Sequence, residues 1–157
     1  LLLLAELLGD ENGRYTTEII ALNGEDYYST PGQIQYLNGN RGQLDQIVLG
    51  INLDGVGYHD GKSAYSLYGC PLELTVCIEK SMAVHPAMIA GEQWYQGDHA
   101  IFYQNQVPAL AVTSEKIWEL TTNITHTDKD VPALVDGRKL AQTAQALHDL
   151  IQSCPTA

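Results

Sequence analysis

Cysteine is scarce in the sequence. The 157 residues include Cys70, Cys77 and Cys154, and no two of them form a CxxC pair. This low count excludes a small secreted protein that is held together by many disulfides. Two interpretations of the cysteines remain open: all three are buried thiols, which we favour, or Cys70 and Cys77 form a disulfide.

Basic residues and long apolar runs are also few. Eight Lys and Arg residues stand against 19 Asp and Glu residues, which gives a formal net charge of −11. A chain this acidic gains nothing from counterion release on nucleic acid and is repelled by anionic membranes, so we expect neither as a partner. The longest aliphatic run, residues 1–8, is interrupted by Glu6, and about 20 residues are needed to span a bilayer. The run lacks the basic region and cleavage site of a signal peptide. We therefore expect a soluble chain and leave open whether it is cytoplasmic or exported.

Apolar residues are abundant by comparison. Hydrophobic residues make up 45% of the chain and charged residues 17%, which is typical of a folded domain and excludes an intrinsically disordered chain. The length fits one domain, and no linker divides residues 1–157. The first residue is Leu rather than Met, so we expect the numbered chain to begin inside a longer protein or after processing.

The hydrophobic pattern predicts strands and helices that alternate along the chain. Nearly continuous apolar runs predict buried strands at 18–24, 46–53 and 107–113, and an alternating segment predicts another at 63–68. Helices are predicted at 1–8, 31–37, 71–84, 99–106 and 134–151. Alternation of this kind predicts an α/β domain with three layers, in which a mostly parallel or mixed sheet is flanked by helices.

Acidic residues follow the predicted strands. Glu25 and Asp26 follow the first strand, Asp54 follows the second, and the segment beyond the last strand contains His126. Ligands of open α/β sheets bind beyond the carboxyl ends of strands. Carboxylates gathered there repel one another unless a cation is present. Two carboxylates and a His suit zinc or a similar divalent ion, and a further carboxylate can serve as the general base for a metal-bound water.

Each of these residues has a simpler interpretation when it is taken alone. Asp26 would serve as a turn or capping residue, Asp54 as part of an Asp-Gly turn, and His126 as a surface histidine. Their order along the chain and their position after strands together favour a site.

Four ordered motifs resemble those of the M28-type zinc aminopeptidase family. Residues 20–27 (IALNGEDY) resemble its strand ending in Asn/Asp-Gly-Glu-Glu, and residues 50–57 (GINLDGVG) resemble its Asn-Leu-Asp strand. Residues 97–110 resemble its Ser-Asp-His-x-x-Phe and Gly-Ile-Pro-Ala pattern, and residues 125–130 (THTDKD) resemble its His-Thr-x-x-Asp loop. The similarity extends from residue 1 to residue 151.

The resemblance implies a metal-dependent aminopeptidase that removes N-terminal residues from peptides with a metal-activated water. Glu25 would be the general base. Asp26 and His126 would bind one zinc ion, and Asp54 would bind a second.

The resemblance also implies supporting roles for three further residues. Asp130 would orient His126, and Asp98 and His99 would line the site without binding metal directly.

Two departures from the family pattern shape this expectation. Asp26 stands where the family usually has the longer Glu. The family's remaining ligands, a His and a metal-bridging Asp, lie upstream of the helix that begins here at Leu1. We therefore expect residues 1–157 to be the C-terminal part of one peptidase domain that lacks its N-terminal strands. The intact enzyme would hold up to two zinc ions and this chain one ion or none. The exposed apolar edge would favour association with the missing half or with a second copy.

Two other functions remain open. A glutaminyl cyclase-like acyltransferase would use one zinc ion and the same base, although nothing in the sequence specifies a glutamine pocket. A non-catalytic binding or regulatory module would keep the fold and lose the metals. The joint presence of Glu25, Asp26, Asp54 and His126 argues against a decayed site.

Overall fold

The computed structural model describes residues 1–9, 15–26 and 28–154. Its helices are α1 (Leu2–Leu8), α2 (Pro31–Gly39), α3 (Leu72–Ala83), α4 (Ala100–Gln104), α5 (Ile117–Asn123) and α6 (Gly137–Ser153), with 3-10 turns at Leu44–Gln46 and Pro132–Leu134. Its strands are β1 (Gly50–Leu53), β2 (Ser63–Tyr68), β3 (Met88–Ala90) and β4 (Ala109–Ser114). Over these ranges, no helix combines the length and the apolar character that crossing a membrane requires.

The four strands form one mixed sheet in the order β1-β4-β2-β3. Strands β1 and β4 are parallel, with Gly50 opposite Ala109, whereas β2 runs antiparallel to β4 and parallel to β3. The carboxyl ends of β1 and β4 therefore lie at the same edge of the sheet. The backbone N–H of Asp54 donates to the carbonyl of Val112 over 3.1 Å, which holds the residue after β1 against the end of β4.

Helices cover both faces of the sheet. On one face, α1, α3 and α6 pack together over a core that includes Ile78, Leu110 and Leu147, each with no solvent exposure. On the other face, α2 and α4 contribute Tyr36 and Phe102, whose rings meet edge to face. All six residues of β4 are buried because both faces of this central strand are covered. This is the three-layer α/β arrangement that the sequence predicts.

Helix α6 begins at a side-chain cap and supports the loop after β1. The Asp136 carboxylate accepts a hydrogen bond from the backbone N–H of Arg138 over 2.9 Å, as expected of an N-cap residue. The Lys139 ammonium donates to the carbonyls of Tyr58 and His59 over 2.8 Å each and also to that of Gly61. The single ammonium group of Lys139 thus satisfies three carbonyls of the loop after β1.

The predicted strand at 18–24 is wrong. The segment has no regular secondary structure and joins no strand of the described sheet. Leu22 packs against the core beneath α2 and α4, whereas Ile19 is 41% exposed. An apolar run indicates burial, but it does not show which backbone will accept its hydrogen bonds.

Strand β2 has its predicted bounds, the other predicted elements are present with shifted ends, and one strand and one helix were missed. Strand β3 has three residues, too few to show a period. Helix α5 buries only Ile117 and Leu120, so its apolar face is too narrow to recognise from the pattern.

Candidate functional site

The start of α2 holds the turn that carries Glu25 and Asp26. Gly24 has φ of +79°, a conformation that glycine adopts at little cost. The backbone N–H of Gly32 donates to the carbonyl of Asn23 over 3.0 Å. A Cβ at Gly32 would lie 2.5 Å from that oxygen, so the close approach requires glycine. The motif's last residue, Tyr27, lies outside the described residues.

Asp26 and His126 lie in direct contact. The Nε2 atom of His126 is 3.2 Å from Oδ1 of Asp26, and the two side chains are 60% and 63% exposed. An ion pair this open to water contributes little to stability. The contact nevertheless joins two segments that are 100 positions apart in the sequence.

The backbone at His126 has an unusual conformation. Its φ is +63°, in the left-handed region that residues other than glycine seldom adopt, with Asn, Asp and His the commonest exceptions. The end of α5 fixes the loop, because the N–H of Thr125 donates to the carbonyl of Leu120 over 2.8 Å and the N–H of Thr127 donates to that of Ile124 over 3.0 Å. Conformations of this kind are found most often at functional sites.

Glu25 lies among carboxylates. Burial raises its pKa from 4.5 to about 7, helped by a hydrogen bond with Asp26 and by the charges of Asp26, Asp54 and Asp98. The three aspartate carboxyls are therefore near enough to Glu25 to interact with it electrostatically. The site therefore carries more negative charge than its surroundings neutralise.

Asp54 occupies the end of β1. Solvent reaches its side chain, but the protein surrounds the carboxyl closely enough that desolvation raises its pKa. The charges of Asp98 and Asp26 raise it further, while His99 and the N–H of Gly55 act in the opposite direction. Asp54 is thus part of the same acidic cluster as Glu25.

His99 is a buried residue that stands behind the cluster. Its Nε2 lies 2.8 Å from the carbonyl of Trp94 and its Nδ1 lies 3.4 Å from the Asn52 amide nitrogen. A carbonyl only accepts, so the proton is on Nε2, and Nδ1 accepts from Asn52. Burial lowers the pKa of His99, which keeps the ring neutral. It lies just before α4 and contacts Asn52 on β1, and its role in lining the site stays a prediction.

Asp98 is held by a residue that the sequence motifs did not reveal. Its Oδ1 accepts a hydrogen bond from Nε2 of Gln33, on the first turn of α2, over 2.9 Å. Gln33 and Asn52 are the two polar supports that sequence reasoning missed. Asn52 could have been found, because it lies two residues before Asp54 on an otherwise apolar strand.

Asp130 lies apart from this cluster. It is exposed, and no hydrogen bond or ion pair joins it to His126, whose ring contacts Asp26 instead. Its role in orienting His126 stays a prediction.

A metal site depends on how many donor side chains lie close together. In the described part of the chain, no three His, Cys, Asp or Glu side chains are grouped closely enough to hold one. The Asp26 and His126 pair does fit: two ligands at about 2.0–2.1 Å from a tetrahedral zinc ion lie about 3.3 Å from each other, and these atoms are 3.2 Å apart. The chain therefore offers two donors of suitable type and spacing.

A cavity of about 390 Å³ opens between the sheet and α5, and none of the acids of the cluster lines it. Its walls include Ala64, Thr113 and Trp118. One wall residue, Thr113, also lies close to the turn after β1, since a Cβ at Gly55 would lie 3.1 Å from its Oγ1. The Thr113 hydroxyl is buried without a hydrogen-bond partner.

Comparisons with known proteins agree with the motifs. Residues 1–151 match the model of peptidase family M28. No curated protein matches the chain. The structure is similar to that of an aminopeptidase from Aneurinibacillus sp. strain AM-1, with a TM-score of 0.60 over 81% of this chain, 31% of that chain and 18% sequence identity.

The two matches have different weight. Identity of 18% shows a shared fold alone, and the chain spans about a third of the length of that aminopeptidase. The family match covers nearly all of the chain. The resemblance drawn from the motifs and the predicted α/β fold are both confirmed.

Proposed function

We propose, because the chain belongs to peptidase family M28, that it contributes the base and metal-binding residues of a metal-dependent aminopeptidase. The observation that carries the proposal is the contact of Asp26 with His126 beside Glu25. A peptide with a free N-terminus is the proposed substrate.

Asp26 and His126 would hold a divalent metal ion, with zinc the best match to a carboxylate and an imidazole. When bound, the ion would polarise the scissile carbonyl and lower the pKa of a water. Asp54, at the end of β1, is a further carboxylate that could bind metal. The charges of Asp26, Asp54 and Asp98, which add to the effect of burial in raising the pKa of Glu25, support a cation there.

Glu25 is the proposed general base. Its carboxylate would accept a proton from water and return it to the leaving amine, and burial together with the neighbouring acids favours the protonated form of Glu25 in the metal-free chain. Asp26 cannot perform this role at the same time, because its Oδ1 contacts His126. The two adjacent acids thus have separate tasks.

The remaining acids are proposed to select the substrate. Asp54 and Asp98 place negative charge near Glu25, and this charge favours the cationic α-amino group of a peptide. The cavity beside Gly55 is proposed to receive the side chain of the first residue, since its walls include Ala64, Ile117 and Trp118.

The test measures zinc content and cleavage of an aminoacyl anilide in parallel. Glu25→Gln is expected to keep its zinc and to lose about 10²–10⁴-fold in kcat, as for the loss of a general base. Glu6→Gln, an exposed change on α1, is the matched control and should behave as the wild type. Equal kcat for Glu25→Gln and the wild type would refute the role of Glu25.

The cyclase-like alternative also needs only one metal, and the Asp26–His126 pair supplies donors for one. A peptide that begins with Gln distinguishes the two reactions. The aminopeptidase releases free glutamine, whereas a cyclase expels ammonia and leaves the peptide bond intact. A chain that binds zinc but converts neither substrate would be a binding module.

A further inference from the structure

Two cysteines that are distant in the sequence meet on the face of the sheet opposite the acidic cluster. Cys77 lies on α3 and Cys154 directly follows the last turn of α6, and their Sγ atoms are 2.8 Å apart. Helices α3 and α6 pack against each other. The Cys154 N–H donates to the carbonyl of Leu150 over 3.0 Å, which holds Cys154 at the end of α6, where its sulfur contacts Cys77 of α3.

The third cysteine is not part of this contact. The Cys70 thiol lies 3.7 Å from the carbonyl of Tyr68 and 3.6 Å from that of Ala109, so both of its contacts are with the sheet backbone. The Cys70–Cys77 disulfide that the sequence left open is therefore not favoured by the structure. All three cysteines are thiols here.

We propose that Cys77 and Cys154 are a redox-modification site, which a small-molecule disulfide such as oxidised glutathione converts into a disulfide between α3 and the end of α6. The sulfur atoms need to approach by only about 0.8 Å to reach the bond length of about 2.05 Å. Because the two helices already pack side by side, this approach requires no rearrangement of the sheet.

The chemistry runs in two exchange steps. The Cys77 thiolate attacks the disulfide of oxidised glutathione, forms a mixed disulfide and releases one glutathione thiolate. The Cys154 thiol then loses its proton and attacks the Cys77 sulfur, and the second glutathione leaves. Two protein thiols are oxidised, one glutathione disulfide is reduced to two thiols, and the two protons balance the leaving thiolates.

Burial determines the order of the two steps. Cys77 is half-buried, whereas Cys154 is 7% exposed. Burial raises the pKa of Cys154 to about 12, with the neighbouring Cys77 adding to the effect. Cys154 is therefore protonated at neutral pH, and Cys77 reacts first because a thiolate that solvent reaches is the nucleophile.

The disulfide would join residues 77 positions apart and tie the C-terminal helix to the body of the domain. A crosslink that closes so long a loop removes much of the entropy of the unfolded chain. The oxidised protein should therefore unfold at a higher temperature, by at least about 5 °C.

The experiment equilibrates the chain in glutathione redox buffers, blocks remaining thiols by alkylation and maps the linked peptides by mass spectrometry. Cleavage after Glu73 separates Cys70 from Cys77, so the two candidates are distinguished. We expect one linked pair, Cys77 with Cys154, and one alkylated residue, Cys70. Reduction should restore all three thiols and the lower Tm.

Two variants complete the test. Cys70→Ser is the matched control and should oxidise as the wild type does, whereas the half-buried Cys77→Ser should stay reduced and show no rise in Tm. Three free thiols under oxidising conditions, a Cys70–Cys77 link or a link between two chains would each overturn the proposal.

Discussion

Glu25→Gln should stabilise the metal-free chain near neutral and alkaline pH and leave its stability in acid unchanged. The folded-state pKa of Glu25 is raised from 4.5 to about 7, mainly by burial and then by the hydrogen bond with Asp26 and the nearby charges. The folded chain thus holds this proton more tightly than the unfolded chain. Its free energy of unfolding falls as pH rises from about 4.5 to about 7 and stays at the lower value above that.

The size of the effect follows from the same pKa values. At about 1.4 kcal/mol for each pH unit, a rise from 4.5 to about 7 corresponds to about 3 kcal/mol. Because solvent reaches much of the site, screening reduces this to about 1 kcal/mol. Gln has nearly the same shape as Glu and no charge. The free energy of unfolding of the variant should therefore exceed that of the wild type by about 1 kcal/mol above pH 7 and should equal it below the unfolded-state pKa.

The assay is urea unfolding in EDTA at about pH 4 and about pH 8. The free energy of unfolding of Glu25→Gln should equal that of the wild type in acid and exceed it by about 1 kcal/mol at the higher pH. Glu6→Gln, on the exposed side of α1, should show no such pH dependence. A difference for Glu25→Gln that is the same at both pH values would refute the reasoning, because it would show that charge is not the cause.

Three further substitutions test the packing that positions the site. Leu147→Ala removes a side chain that is fully buried in α6 and should lower the free energy of unfolding by about 2–5 kcal/mol in urea. Thr143→Val leaves the buried Ser63 hydroxyl, now 2.9 Å from the Thr143 hydroxyl, without a partner and should cost about 1–3 kcal/mol, whereas Thr143→Ser should cost less. Gly50→Ala would place a Cβ 2.3 Å from the Phe102 ring, so it should cost about 1–3 kcal/mol or more, with a changed near-ultraviolet circular dichroism spectrum. A variant with the same free energy of unfolding as the wild type would show that the contact changed by that substitution does not stabilise the fold.

The sequence predicts the parts of the fold that depend on local pattern. The continuous apolar run that became β4 is buried on both faces, as such a run implies. A similar run at 18–24 has no regular secondary structure and pairs with no strand of the described sheet. The two runs differ in whether a neighbouring strand forms backbone hydrogen bonds with them. This depends on the arrangement of the whole sheet and not on the local sequence. Periodicity therefore identified the layers but not every strand.

The site shows the same division. The motifs identified Glu25, Asp26 and His126, and the structure places Asp26 against His126. The motifs did not reveal Gln33, because a glutamine on a helix carries no signal until the tertiary structure brings it to Asp98. The contact of Cys77 with Cys154 is likewise invisible in the spacing of the cysteines, since it arises from the packing of α3 on α6.

Zinc binding by the chain tests the central claim most directly. Equilibrium dialysis followed by elemental analysis would compare the wild type with Asp26→Asn and His126→Asn. Asn suits the left-handed backbone at position 126, so this variant should fold. The exposed changes Asp60→Asn and His59→Ala are matched controls.

We expect one zinc ion for each chain in the wild type and in both controls, and loss of that ion in both site variants. Equal zinc content in all five proteins, or no zinc in the wild type at saturating metal, would contradict the assignment of Asp26 and His126 as metal ligands.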